Sequence, residues 1–332
     1  MSRAPRVAIA CQGGGSHAAF VAGVLCKLLG PDFRDRFEPV AISGTSGGAI
    51  CASLAWAGLI AEGPTDALRR LQGFWNDLEV HDALDAWTNF WSVWLARAPF
   101  TAEISPYAYV PIAEPRLRKL LARHLALERL PVAPGLRGQP KLLIGATDIL
   151  AGERVVFHGE TLTYDDVIAS AAVPPLFRAV NADGKLYWDG LFSTNPPVRE
   201  FTDLPEKPEE VWVVQINPQR RRVEPRAMCE IIDRRNELSG NLSLGQELYF
   251  ISKINDLCRA YPVLADHYKE IKLRVVELDI EDLDYPSKLD RSHNLIHRLM
   301  HHGQERAEWF FEGRSEWPRS GSLPKRAVSP AR

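Results

Sequence analysis

The sequence predicts an α/β fold, with a mainly parallel central sheet and helices on both faces. Three observations carry this expectation. Val7 to Cys11 is a short apolar run leading into Gly13-Gly14-Gly15, and Phe20 to Leu29 then sets Val21, Val24, Leu25 and Leu28 at helical spacing, which reads as strand, glycine turn, helix. Pro39 to Ser43 repeats the unit, entering Gly44-Thr45-Ser46-Gly47-Gly48 before the small apolar residues of Ala49 to Ile60, which suit a buried helix. Further strand-like and helix-like segments alternate to residue 312, and strands alternating with helices imply a mainly parallel sheet covered on both sides.

In chain order, Pro64 to about Leu127 reads as mostly helical and unusually aromatic, and Pro131 to Pro140 as a loop rich in proline and glycine. Lys141 to Thr147 and Arg154 to His158 are β-type, Tyr164 to Ala172 is helical, and a short strand ends at Trp188. Val211 to Asn217 is a strand before a long helix from about Pro225 to Arg259; Ile271 to Ile280 closes the sheet, and Ser287 to Glu312 forms the last helix. The expected organisation is one domain over residues 1–312, its motifs within 7–217 and a helix-and-strand extension over 218–312. The proline-, serine- and arginine-containing tail 313–332 is expected to be disordered.

A chain of 332 residues can bury a large core without a disulfide or metal staple. Its formal net charge of -2, with both signs mixed along the chain, argues against nucleic acid as a partner. Five cysteines, Cys11, Cys26, Cys51, Cys229 and Cys258, are odd in number and widely spaced, which suits reduced thiols in a reducing compartment. No signal peptide is legible before Val7, and no apolar run approaches the ~20 residues of a membrane span. The expectation is a soluble cytoplasmic protein that touches membranes only peripherally.

Gly44-Thr45-Ser46-Gly47-Gly48 is a G-x-S-x-G pentapeptide between a strand and a helix, the context that gives this motif chemical meaning. The turn forces the serine backbone into strain and leaves Ser46 projecting, with the N–H groups of a helix start beside it. The plain alternative is an ordinary glycine-rich turn. A hydroxyl needs a base to accept its proton. The late histidines His267, His293, His297, His301 and His302 mostly stand in helical, charged surroundings. Asp189, in Leu186-Tyr187-Trp188-Asp189-Gly190, ends an apolar strand and would reach the same sheet edge as Ser46 if the strands are parallel; its plain alternative is an Asp-Gly turn. Gly13, Gly14 and Gly15 offer N–H groups to an oxyanion, and a side chain at Gly14 is expected to obstruct them. A dinucleotide fingerprint would need glycine where Ala18 stands, and no G-K-[ST] follows.

Together the triple glycine, the Gly-Thr-Ser-Gly-Gly elbow, the segment Ala169-Ser170-Ala171-Ala172-Val173-Pro174-Pro175-Leu176-Phe177 and the Tyr-x-Asp-Gly strand end resemble the patatin-like phospholipases, in the same order. That resemblance spans about residues 7 to 217. It implies a patatin-like three-layer architecture and a Ser-Asp dyad acting without histidine. Ser46 would attack a lipid or other acyl ester, Asp189 would take its proton, and Gly13 to Gly15 would hold the oxyanion, with no cofactor and no metal. Two positions depart from the family: His17-Ala18 follows the glycine turn in place of Arg or Lys then Gly, and Asp189-Gly190 is followed by Leu191. A free aspartate is a weak base, so burial should raise its pKa from about 3.9. Two rival functions are a Ser-Asp-His esterase using His267 or His293, and a catalytically silent lipid-binding protein.

Three other features bear on function. Trp87, Phe90, Trp91 and Trp94, with Phe74, Trp75 and Phe100 nearby, form either a lipid-contacting helix or an ordinary packed face. His293, His297 and His301 share a helix face but lack the companion ligands of a zinc site, which is the weaker reading. Arg220-Arg221-Arg222 reads as a solvated loop, with contact to lipid phosphates as the alternative.

Overall fold

The computed structural model describes residues 3–82, 85–90, 93, 105–108, 113–131, 138–174, 176–280 and 283–313. Its strands are β1 (Arg6–Cys11), β2 (Glu38–Gly44), β3 (Lys141–Asp148), β4 (Glu153–His158), β5 (Val180–Ala182), β6 (Lys185–Asp189), β7 (Glu210–Gln215) and β8 (Lys272–Glu277). They form one eight-stranded sheet in the order β5-β6-β3-β2-β1-β7-β8, with β4 paired to β3. Pairing is parallel from β3 through β2, β1 and β7 to β8, and antiparallel for β3 with β4, β3 with β6 and β5 with β6. The parallel half follows the strand–helix alternation of the sequence. Two of the antiparallel pairs come from short connections, four residues between β3 and β4 and two between β5 and β6, which leave no room for a crossover.

Alternation along the strands divides the core into two. Val7, Ile9 and Cys11 of β1, with Ile42, Ile144, Trp212 and Val214, face one side, where α1 (Ala19–Leu28), α2 (Gly47–Ala61), α3 (Pro64–Leu78), α5 (Tyr164–Ser170) and α7 (His293–Phe311) supply the cover. Ala8, Ala10, Ala41, Leu143, Val211 and Val213 face the other side and meet Phe201, Leu244, Leu248 and Ile251. The last three belong to α6 (Met228–Ala260), the 33-residue helix that covers this face. A further helix, α4 (Ala113–His124), packs against α3 and α5. The sheet is thus sandwiched between helices.

Some elements differ from the sequence reading. β5 is short and was not legible as a strand, α5 ends at Ser170, β8 ends at Glu277 rather than Ile280, and α7 begins at His293, because Pro286–Lys288 forms a separate 3₁₀ turn tied by Asp284 and Ser287. The aromatic cluster also divides. Phe74 and Trp75 are core, whereas Trp87 and Phe90 are exposed; Trp91, Trp94 and Phe100 lie outside the described residues. Beyond Gly313 the tail lies outside them too.

A single buried carboxylate anchors α6 to the loop after β6. Glu247 accepts from the Thr194 hydroxyl at 2.9 Å and from the Val198 and Arg199 backbone N–H groups, and pairs with Arg154 at 3.3 Å. Burial raises its pKa, with Arg154 opposing. Removing it leaves the Thr194 hydroxyl and the Val198 and Arg199 N–H groups without this acceptor, and Arg154 with Glu200 as its remaining carboxylate partner at 2.6 Å. Glu247→Ala is expected to lose about 3 kcal/mol or more of unfolding free energy, read by urea denaturation.

Candidate active site

β2 and β6 share one edge of β3. β4 occupies the other edge along Leu143 to Asp148, so β2 (pairing Gly44 with Ile144) and β6 (pairing Asp189 with Ala146) must approach the same side. They run in opposite directions, and their C-terminal ends meet there. The sequence reading anticipated this meeting from parallel strands; an antiparallel β6 produces it instead.

Immediately after β2, Ser46 takes φ 58° and ψ -132°, a conformation that L-residues rarely adopt. Close packing enforces the turn: a Cβ on Gly44 would stand 2.4 Å from the Gly48 carbonyl oxygen, and one on Gly48 would stand 2.2 Å from that of Cys11. Ser170 secures it further. The Ser46 N–H donates to the Ser170 hydroxyl at 3.0 Å and lies 3.1 Å from its carbonyl oxygen, while the Ser170 hydroxyl donates to Gly145 O at 2.7 Å. The Thr45 hydroxyl donates to Thr194 O at 2.7 Å. The cost of the Ser46 conformation is therefore offset by fixed contacts on each side.

Asp189 is fully buried. Its Oδ1 accepts the Leu191 N–H at 2.8 Å, and its Oδ2 is buried with no aligned hydrogen-bond partner. Burial pushes the carboxyl up to about 7; the neighbouring Ser46 hydroxyl and the Leu191 N–H pull it down. The Ser46 hydroxyl therefore bears on this carboxyl without a fully formed hydrogen bond to Oδ2. No hydrogen bond from a histidine reaches Ser46 or Asp189 among the described residues. His293 bonds Glu79, His302 bonds Asp279, and the buried His17 bonds Ser287 at 2.7 Å, its pKa lowered to about 3 by desolvation and then by Lys288.

The glycine turn lies against the serine. A Cβ on Gly13 would come within 2.5 Å of Ser46 Cβ, and one on Gly47 within 2.8 Å of Gly15 O. Gly13 N–H donates to Asn195 Oδ1 at 2.7 Å, so it is already committed, whereas the N–H groups of Gly14 and Gly15 make no hydrogen bond among the described residues. Gly14 is extended at φ 171°, and a Cβ there would point at the flexible end of Ile216; the left-handed residue is Gly15, at φ 60°.

Buried amides hold this turn, and sequence reading missed them. Gln12 Oε1 accepts the Ile216 and Asn217 N–H groups at 3.0 and 2.9 Å, and its Nε2 donates to Asn241 Oδ1 at 2.9 Å. Asn217 Nδ2 donates to Gly13 O at 3.1 Å. These residues lie up to 229 positions apart and follow no local pattern, so only the fold could reveal the group. Ser170 was visible inside a motif, but not its role.

A family model described as patatin-like phospholipase matches residues 9–202, more than half of the chain. A search of curated proteins returns no match. Among solved structures the chain is similar to VipD from Legionella pneumophila, at 14% identity and TM-score 0.44, covering 95% of this chain and 68% of that one. It is also similar to ExoU from Pseudomonas aeruginosa, solved in complex with SpcU, at 15% identity and TM-score 0.39, covering 94% of this chain and 53% of that one.

A carboxylate forced to ionise in a dry site weakens the fold. With a folded pKa of about 7 against about 3.9 unfolded, the native state holds the extra proton between these values, so wild-type stability falls as pH rises through that window. Asp189→Asn abolishes this term. The stability of the variant relative to wild type is expected to increase from pH 4 to pH 7 by on the order of a few kcal/mol, measured by urea denaturation across pH. A pH-independent difference would show that Asp189 titrates normally.

Proposed function

The chain belongs to the patatin-like phospholipase family, and on that premise we propose that it is a serine hydrolase of lipid acyl esters working through a Ser46-Asp189 dyad. The observation that carries the reading is the buried Asp189 carboxylate, with one oxygen unpartnered and its pKa raised to about 7, next to a serine held at positive φ. A pKa near neutrality suits a general base, since the group is substantially ionised yet still basic.

As Ser46 Oγ attacks the ester carbonyl, its proton passes to Asp189 Oδ2. The tetrahedral oxyanion is stabilised by the N–H groups of Gly14 and Gly15, joined by that of Gly47 at the start of α2, where the helix dipole adds to the field. Gly13 supports the turn rather than the charge, because its N–H is bonded to Asn195. Collapse breaks the ester C–O bond, and the leaving alkoxide takes the proton from Asp189. Water then repeats the sequence: Asp189 accepts its proton, the hydroxide adds to the acyl carbonyl, and Ser46 leaves reprotonated.

The intact pair argues against a silent lipid-binding protein. The hydrogen bonds of His293 to Glu79 and of His17 to Ser287 argue against a triad. Lipid as the substrate draws support from family membership and from exposed apolar side chains near the site. Phe192 follows the Asp189 loop, and α6, joined to that loop by the Ser239 hydroxyl on Leu191 O, exposes Leu238 and Leu242. Peripheral membrane contact fits this surface. No helix among the described residues is long and apolar enough to cross a membrane.

A fluorophosphonate probe is expected to label Ser46 in the wild-type chain, and Ser46→Ala to lower hydrolysis of a short soluble ester by about 10⁴-fold or more with the fold intact. Unlabelled Ser46, or a variant turning over normally, ends the dyad reading. Two alanine variants test the glycine turn. Gly13→Ala drives a Cβ into Thr45 O and Ser46 Cβ and should cost about 10²-fold or more in kcat, whereas Gly14→Ala meets only Ile216 and Asn217 and should stay within about tenfold of wild type. Circular dichroism checks that both are folded.

A further inference from the structure

We propose that Glu79, His293 and His297 form a binding site for a divalent transition metal of the zinc type. His293 and His297 lie one turn apart on α7, and Glu79 is the residue that closes the C-terminal end of α3. The carboxylate comes from 214 positions upstream, which is why the histidines alone, read in sequence, lacked a companion. His293 Nδ1 lies 2.6 Å from Glu79 Oε2 and His297 Nε2 lies 2.9 Å from Oε1. All three donor atoms fall within 4.8 Å of one another.

The Glu79 environment calls for a cation. Its side chain is only 7% exposed, and Oε1 is buried without an aligned hydrogen bond although His297 is close by. It also stands at the negative end of the α3 dipole, where an anion is disfavoured. The adjacent Arg291 is engaged elsewhere, on Asp85 and Leu78 O. Two imidazoles and one carboxylate are a borderline donor set, which suits zinc better than the oxygen-seeking calcium or magnesium. Ligands about 2 Å from a tetrahedral zinc stand roughly 3.3 Å apart, so from 2.6 and 2.9 Å the histidines need to withdraw by roughly 0.7 and 0.4 Å to admit the ion. Their side chains are 66% and 51% exposed, free to make that adjustment and to leave a fourth position to water. His301, the next residue on that face, pairs with Glu305 instead and is not included.

The test uses the untagged full chain in a Cys229→Ser/Cys258→Ser background, since these two thiols are partly accessible. Zinc titration against a chromophoric chelator should give one ion per chain, and cobalt should give tetrahedral d–d bands with no thiolate charge-transfer band. His293→Ala, His297→Ala and Glu79→Gln should each weaken zinc by about 100-fold or more and cancel the zinc-induced rise in melting temperature, while His301→Ala should change neither. The two histidine variants alter exposed side chains, so a folding failure of the Glu79 variant would not obscure the result. Absence of zinc binding in the parent chain, or unchanged affinity in either histidine variant, overturns the site.

Discussion

The site depends on a constraint of sheet geometry: one edge of β3 has to serve two strands arriving from opposite directions. β2 fills it as far as Ile144 and β6 takes over from Ala146, so the turn after β2 and the residue ending β6 are forced together. Ser46 and Asp189, 143 positions apart in sequence, need no long side chains to meet. Both are buried, and the aspartate gains its raised pKa from the same packing that brings it there.

Around that junction, polar groups are satisfied wherever they fix geometry and left open where chemistry would need them. Ser46 N–H, Gly13 N–H, Gly13 O and one oxygen of Asp189 all have partners. The other Asp189 oxygen and the N–H groups of Gly14 and Gly15 have none among the described residues. An unpaired buried carboxylate oxygen is costly, and a site that retains one trades stability for reactivity.

Much of this was legible in the sequence because it is local. The two strand-turn-helix units, the Gly-Thr-Ser-Gly-Gly elbow and the Tyr-x-Asp-Gly strand end declare themselves over five to ten residues through hydrophobic periodicity and glycine placement. Strand direction did not. β6 shows the same apolar run whether parallel or antiparallel, and β5 is too short to carry a pattern. The supporting amides Gln12, Asn195, Asn217 and Asn241 were illegible for another reason: an isolated Asn or Gln signals nothing until its partner is known. The same applies to Glu79, whose meaning depends on two histidines on the last helix.

The amide group sets the minimum length of chain able to hold the glycine turn. The recognisable family region stops at residue 202, yet Gly13 O is bonded from position 217, and the Gln12 side chain is held from positions 216, 217 and 241. β1 itself lies between β2 and β7, and β7 begins only at Glu210. A fragment cut at the edge of the signature would carry Ser46, Asp189 and every glycine of the motifs, but would expose one whole side of its first strand. What evolution marks as the motif is therefore shorter than what physics requires as the working unit, and changes as far along as Asn241 on α6 act on the glycine turn at the other end of the chain.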